Sequence, residues 1–241
     1  MTSLLDLEQV SKKYGSTAVV DRLDLSVGRH EALGIIGPNG AGKTTMFNLI
    51  AGDVVPDDGR VIYDGRDITG LPPYRRCRMG IGRSYQIPHP FAKMTVFENM
   101  LAGAFYGGRR TDREGYERCD EVLRITGLLP KANVLAGALT LLQRKRLELA
   151  RALAVGPRLL LLDEIGGGLT EPECLELVET IRTIHRSGVA IVWIEHIVHA
   201  LVSTVDRLVV IHAGRKLAEG EPRAVMADAK VKEVYVGIPV S

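Results

Sequence analysis

The run Gly37-Pro38-Asn39-Gly40-Ala41-Gly42-Lys43-Thr44-Thr45, which follows directly on the apolar stretch Glu31-Ala32-Leu33-Gly34-Ile35-Ile36, constrains this chain more than any other segment. It fits the phosphate-loop pattern G-x-x-x-x-G-K-[ST], and it has the preceding strand that the pattern requires. Glycines let successive backbone N–H groups converge on phosphate oxygens with no Cβ in the way, and a helix opening at Lys43 adds the positive end of its dipole. Such a loop is an anion cradle. In it Lys43 reaches the β- and γ-phosphates as a point charge, the Thr44 hydroxyl completes the coordination of Mg²⁺, and Thr45 donates to the α-phosphate. Taken alone, the pattern is also satisfied by a Gly-rich turn between a core strand and a helix.

A second segment weighs against that plainer reading. Arg158-Leu159-Leu160-Leu161-Leu162-Asp163-Glu164 is a continuous apolar run ending in two carboxylates, the pattern of a central parallel strand buried on both faces. Ligands in open α/β sheets bind at the ends of such strands. Asp163 is suited to hold Mg²⁺ through water, and Glu164 to accept a proton from the water that attacks a γ-phosphate. A carboxyl pair at a strand end is, on its own, as compatible with a helix cap or a solvated charge; the two motifs together decide it.

The 241 residues suffice for one large α/β domain, and no linker divides them. A net charge of +2 gives no reason to expect nucleic acid. Arginine clusters at Arg75, Arg76 and Arg78 and at Arg109, Arg110 and Arg113 read as solvated faces or as contacts with a partner or an anionic membrane surface. Cys77, Cys119 and Cys174 are too scattered for a disulfide framework or a zinc site, which fits a reducing cytoplasm. No basic-then-apolar leader opens the chain, and no apolar run approaches the roughly 20 residues needed to span a bilayer. Any membrane association is therefore expected to be peripheral. His196 and His199 lack a third metal ligand and read as structural or switch residues.

Along the chain, strands are predicted over residues 4–10, 18–27, 31–36, 60–63, 81–85, 159–162, 189–194 and 208–211. Asp57-Asp58-Gly59 and Asp64-Gly65 read as turns around a small antiparallel element. Helices are predicted from Lys43 to about Ala51 and from Glu171 to Arg186, and a helical insertion from about Thr95 to Ala154. Alternation of this kind means an α/β fold: a mostly parallel sheet with flanking helices, as in P-loop NTPases.

With these residues in view, the chain resembles an ATP-binding-cassette (ABC) ATPase subunit from Leu5 to about Gly237. More narrowly it is similar to the ATPase subunits of branched-chain amino acid importers, in Gly65-Arg66-Asp67-Ile68-Thr69-Gly70-Leu71-Pro72-Pro73, in Leu217-Ala218-Glu219-Gly220-Glu221-Pro222 and in residues 231–237. The resemblance implies a single ATP-binding domain over residues 1–241, with an antiparallel β subdomain and an α-helical subdomain inserted at about 88–156. ATP and Mg²⁺ are the implied cofactors. Tyr14 matches the aromatic on which adenine stacks, with an ordinary strand tyrosine as the alternative. Gln86 matches the glutamine that senses Mg²⁺ and the attacking water, and it lies where a membrane partner's coupling helix docks. His196 matches the switch histidine that hydrogen-bonds the γ-phosphate, with a plain capping histidine as the alternative. Residues 168–171 fall at the family's inter-subunit loop.

The implied partners are a second cassette subunit, of the same or a different chain, transmembrane permease subunits and, indirectly, a periplasmic solute-binding protein; no nucleic acid is expected. The implied location is the cytoplasmic side of the inner membrane, peripheral through the permease. The same clamp serves soluble cassette proteins of DNA repair, translation or cofactor assembly, but these typically resemble tandem cassettes or carry a long coiled-coil insertion, and this chain has neither. A GTPase or phosphoryl-transfer enzyme lacks support, since no N-K-x-D motif and no acceptor-binding lid is present.

Two departures stand out. Ile165 replaces the usual Pro after the catalytic Glu, which is expected to loosen the turn after Glu164. The signature L-S-G-G-Q is matched by Leu139-Thr140-Leu141-Leu142-Gln143, in which Thr140 keeps a hydroxyl for the partner's γ-phosphate. Leu141 and Leu142 replace glycines, and a Cβ there restricts φ and the distance of approach. Restoring Gly at position 142 is expected to raise a low steady-state ATPase rate, at a cost of about 1 kcal/mol of helix stability. Equal rates for wild type and Leu142→Gly at matched dimer concentration would remove the argument that this signature is impaired.

Overall fold

The computed structural model describes residues 3–108 and 111–236. Arg109 and Arg110 of the second arginine cluster, and Gly237 at the end of the family resemblance, lie outside the described residues. Contacts divide the chain into two units, Met1–Pro73 with Ala190–Ser241, and Tyr74–Val189.

In the first unit the second strand alternates buried and exposed positions over residues 23–27, as an antiparallel strand with one wet face does, while register shifts break the alternation in the first strand. β1 (Ser3–Tyr14) pairs antiparallel with β2 (Thr17–Gly28) through the tight turn at Gly15, and on its other edge with β4 (Asp58–Tyr63), which carries the two-residue β5 (Arg66–Asp67). This is the expected antiparallel element, though β1 runs four residues past Val10 because the Tyr14↔Thr17 pairing closes the hairpin. β4 also starts earlier than the turn at Asp57–Gly59 suggested. Gly59 continues the strand at φ +85° because a Cβ there would sit 2.4 Å from the Gln9 carbonyl oxygen.

The second sheet of this unit centres on β3 (Ala32–Ile36), all five residues buried. It pairs in parallel with β8 (Ala190–Ile194), also wholly buried, and with β9 (Arg207–His212). Strands apolar on both faces are what a parallel sheet covered on both sides demands. β10 (Arg215–Gly220) adds antiparallel to β9. Its polar sequence Arg-Lys-Leu-Ala-Glu-Gly lacks a period-2 pattern, so the sequence did not announce it. α1 (Lys43–Ala51) has the predicted bounds, and the short α7 (Val198–Val202), α8 (Pro222–Ala227) and α9 (Ala229–Val236) complete the unit.

The second unit pairs β6 (Ile81–Arg83) in parallel with β7 (Leu159–Asp163). β6 stops short of the predicted 81–85. The Ser84 amide still bonds the Leu161 carbonyl, but the pairing goes no further, and Pro88 and Pro90 rule out a resumed ladder. The expected helical insertion is α3 (Val96–Ala102) continued by a π turn, α4 (Asp112–Ile125), two 3-10 turns and α5 (Leu141–Ala154). α6 (Glu171–Arg186) matches its predicted bounds. α2 (Pro73–Arg78) opens on a proline, whose fixed φ suits the first helical turn.

α3, α4, α5 and α6 each start on a threonine whose partner three residues on is Glu or Gln: Thr95/Glu98, Thr111/Glu114, Thr140/Gln143 and Thr170/Glu173. In each capping box the threonine oxygen faces the backbone N–H of the third helical residue, while the Glu or Gln side chain accepts the threonine's own N–H, at 2.7 to 3.1 Å. Donation from the Thr95 amide, then its hydroxyl, holds the Glu98 carboxyl below its ordinary range, and Thr170 does the same to Glu173.

Thr95→Ala is expected to lower stability by about 1 kcal/mol in urea denaturation at neutral pH. Because the folded pKa of Glu98 is depressed, its contribution is present above the unfolded pKa and is lost as pH falls through the folded value. The gap between wild type and Thr95→Ala should therefore narrow in acid; a pH-independent gap would show that the box does not bind the ionised carboxylate.

Candidate functional site

The loop after β3 is set by backbone packing. A Cβ at Gly37 would lie 2.1 Å from the Ile211 carbonyl oxygen, and one at Gly42 would lie 2.4 Å from that of Val19. Gly42 also sits at φ +100°. The turn joining β9 to β10 closes the loop from the other side, the Gly214 amide donating to the Ala41 carbonyl (3.0 Å) and the Asp21 amide to the Gly214 carbonyl (2.9 Å). Lys43 is buried, and its ammonium donates to the carbonyls of Gly37 (2.7 Å) and Pro38 (3.0 Å). The side chain is thus folded back over the loop's own concavity. α1 has only Gly42 as its cap, with no side-chain cap bond and no acidic residue in its first turn. Its leading amides and the lysine make a compact positive pole. Asn39, Gly40 and Thr44 are exposed, and Ala41 is buried.

Two further predicted residues belong to this unit. Tyr14 closes the β1–β2 hairpin half-exposed, with the Lys12 ammonium 5.9 Å from its ring centroid; Val19, which abuts Gly42, lies on the hairpin's other strand. His196 is exposed and follows β8 by two residues. Since Ile194 pairs in parallel with Ile35, the topology delivers His196 alongside the start of the phosphate loop. Its amide is held by the buried carboxylate of Glu195 (3.1 Å).

The second unit gathers the remaining predicted polar residues. The Gln86 amide nitrogen donates to the Glu164 carboxylate at 2.7 Å. Glu164 has φ +46°, a left-handed conformation that costs a residue bearing a Cβ about 1–2 kcal/mol. A strained carboxylate at the end of a buried strand is a recurrent mark of a functional position. Ile165 is buried, and the Gly167 amide reaches back to the Glu164 carbonyl (3.3 Å). The turn is thus held by an apolar anchor in place of a proline ring, against the expected loosening.

Asp163 is buried beside Arg83, whose guanidinium lies 3.3 Å from its carboxylate and 4.9 Å from the Tyr85 ring centroid. Arg83 was not among the predicted residues. Its only sequence signal was a cation at the end of the strand that pairs with the strand of Asp163.

Thr140 and Gln143 come together at the start of α5. The Thr140 oxygen accepts the Gln143 amide (3.4 Å), leaving the hydroxyl proton free to donate elsewhere. Leu141 and Leu142 occupy the first helical positions, so neither needs the glycine-like φ that the sequence argument feared. Leu141 packs at the loop after Glu164, 3.3 Å from where a Cβ on Gly168 would be.

Further along α5, Lys145, Glu148 and Arg151 fall at i, i+3, i+6, and all three reach the segment after β6. Lys145 donates to the Gln86 carbonyl (3.2 Å), and Arg151 to the His89 carbonyl (2.9 Å). Burial pushes the Glu148 carboxyl up, opposed by Arg151 and by the backbone amides of His89 and Tyr85. Charged residues spaced like core residues were the available signal.

A family model described as ABC transporter matches residues 20–166. The lipopolysaccharide export system ATP-binding protein LptB of Haemophilus influenzae is 35% identical over 235 residues, spanning 98% of each chain. The high-affinity branched-chain amino acid transport ATP-binding protein BraF of Pseudomonas aeruginosa is 34% identical over 97% of this chain and 98% of its own. The crystal structure of the ADP conformation of MJ1267, an ATP-binding cassette of an ABC transporter, is similar with a TM-score of 0.91 at 30% identity, covering 99% of this chain and 100% of that one.

The loop's geometry separates two of its glycines. Gly40, at φ +79° with open space around it, should tolerate alanine at a cost of about 1 kcal/mol. Gly42→Ala combines left-handed strain with a backbone clash and should cost more than about 2 kcal/mol in chemical denaturation. Equal losses for the two variants would contradict the packing described.

Proposed function

The chain belongs to the ABC transporter family as an ATP-hydrolysing cassette subunit, and from that premise we propose that it powers uptake of a small solute, a branched-chain or related amino acid. The observation that carries the catalytic part is the 2.7 Å hydrogen bond from Gln86 to a conformationally strained Glu164 one residue past the buried Asp163. In this reading Gly37, Pro38, Asn39, Gly40, Ala41 and Gly42 wrap the phosphates with backbone amides. Lys43 exchanges its two loop carbonyls for phosphate oxygens, Thr45 meets the α-phosphate, and Tyr14 stacks on adenine. Glu164 takes the proton of the attacking water, Gln86 orients that water, and His196 bonds the γ-phosphate.

The residues fit the cofactor. The glycines leave room that a Cβ would fill, and α1, which has no side-chain cap, turns the positive end of its dipole to an anion. Thr44, Gln86 and, through water, Asp163 supply hard oxygen donors of the kind Mg²⁺ takes, and bound there the ion neutralises charge on the phosphates.

We assign Thr140 and Gln143 to the nucleotide of a second cassette subunit. The fold is read as one ATP-binding domain with its helical subdomain at about 88–156. Among the described residues no helix is long and apolar enough to cross a membrane, so attachment is through permease subunits at the cytoplasmic face. Exposed Tyr85, Ile87 and Phe91 on the segment after β6 offer such a subunit an apolar landing.

The similarity to branched-chain amino acid transport ATPases favours import; the similarity to LptB favours export of a lipid-bearing glycan as the second reading. Co-purified permease subunits reconstituted in proteoliposomes separate them. ATPase stimulation by a binding protein loaded with branched-chain amino acid is expected, and stimulation by lipopolysaccharide alone would overturn the assignment.

Glu164→Gln should retain MgATP binding while slowing hydrolysis by about 10² to 10⁴-fold, whereas Lys43→Ala should lose binding itself. Fluorescent-nucleotide titration beside a steady-state ATPase assay checks both. Unchanged affinity in Lys43→Ala, or rapid turnover by purified Glu164→Gln, would sink the corresponding role.

A further inference from the structure

The segment from Tyr85 to Phe91 has no secondary structure of its own beyond turns, yet it carries Gln86 and three exposed apolar side chains. One face of α5 holds it. Lys145, only 5% exposed, donates to the Gln86 carbonyl at 3.2 Å. Glu148, 7% exposed, pairs with Arg151, and the backbone of His89 and Tyr85 draws its carboxyl down against the effect of burial. Arg151 donates to the His89 carbonyl at 2.9 Å, pairs with Glu148 at 3.3 Å and lies 5.1 Å from the centroid of the Phe91 ring. Asn99 on α3 closes the far end, accepting the Phe91 amide at 2.9 Å and donating to the Phe91 carbonyl at 3.1 Å.

Burying an ammonium and a carboxylate on one helical face, beside a half-buried guanidinium, is costly unless they are paired, and apolar residues of similar size would pack there without that cost. The use of charges is explained by what they hold: Lys145 and Arg151 bond backbone carbonyls of a segment that has no ladder to satisfy them, and Glu148 pairs with Arg151. The same helix begins with the Thr140/Gln143 box and rests Leu141 against Gly168 in the loop after Glu164.

Resting on the catalytic role proposed for Gln86, we infer that Lys145, Glu148 and Arg151 are positioning residues for ATP hydrolysis. They fix the backbone of residues 85–91 to α5, so that the Gln86 amide is presented to Glu164 and any shift of α5 is transmitted to that pair. None of the three touches nucleotide in this account. Their effect runs through the placement of one side chain, where displacement by about 1 Å can cost up to 10²-fold in rate.

The test uses the full chain with Lys145→Met, which keeps the aliphatic stem and deletes the donor, and Glu148→Gln as an independent variant. For Lys145→Met, kcat should fall roughly 10-fold, with the MgATP dissociation constant within about 2-fold of wild type. In a Gln86→Ala background the same substitution should have no further effect, because the residue it positions is gone. Amide hydrogen exchange, read without nucleotide, should quicken over residues 85–91 in both single variants and stay unchanged over residues 43–51. That readout stands even if Gln86→Ala is inactive or if wild type fails to bind MgATP, the latter being a failure of the catalytic assignment alone. Unaltered exchange over 85–91 in both variants overturns the inference, as does an equal fractional loss of kcat with and without Gln86.

Discussion

The carbonyl oxygens of Val19 and Ile211 press so closely on Gly42 and Gly37 that no side chain fits at either position. This contact fixes the path of the loop that β3 feeds, and with it the direction in which α1 starts. The contact in turn needs β2 and β9 where they are, one in the antiparallel sheet and one beside β3 in the parallel one. The two sheets of the first unit are thereby committed to a single arrangement around the loop. The turn at Ala213 and Gly214 seals it, bonding at once to the loop and to β2.

In the second unit strain and support are paired in a similar way. Glu164 adopts a left-handed backbone that a side chain resists. Around it a buried Ile165, the bond from Gln86 and the packing of Leu141 at Gly168 over-determine the turn. Conformations of that kind persist where neighbours leave no alternative. The charged face of α5 extends the support outward, with Lys145 and Arg151 bonding carbonyls of a stretch that has no ladder of its own.

Much of this was legible in advance. The phosphate loop and the apolar run into Asp163 carry their own local signals, a glycine pattern and a doubly buried strand; α1 has its predicted bounds because the loop's glycines set its start, and α6 because capping and periodicity agree. β10 was not legible, since its stability comes from pairing with β9 and its own residues are polar. The end of β6 was misjudged because residues distant in sequence take over the segment after it, Lys145 bonding the Gln86 carbonyl and Arg151 that of His89. Arg83, Lys145 and Arg151 were invisible for the same reason: each acts on a group far along the chain. The four threonine boxes were in plain sight as T-x-x-E and T-x-x-Q, and three of them would have placed the starts of α3, α4 and α5 within the helical stretch.

Those boxes are not chemically alike. Three of the four helices carry one or two carboxylates in the first turn, Glu98 on α3, Asp112 and Glu114 on α4, Glu171 and Glu173 on α6, which satisfies the positive pole from within. α5 closes its box with the neutral Gln143, and α1 starts on a bare glycine; neither has an acidic residue there. An internal carboxylate would make either helix more self-sufficient, and would also repel any anion brought to it. The two helices assigned to ATP, one to the chain's own and one to a partner's, thus keep their electrostatic valence unspent. On the proposed assignment, phosphate would meet a helix start with no side-chain cap at α1 and one capped without a carboxylate at α5.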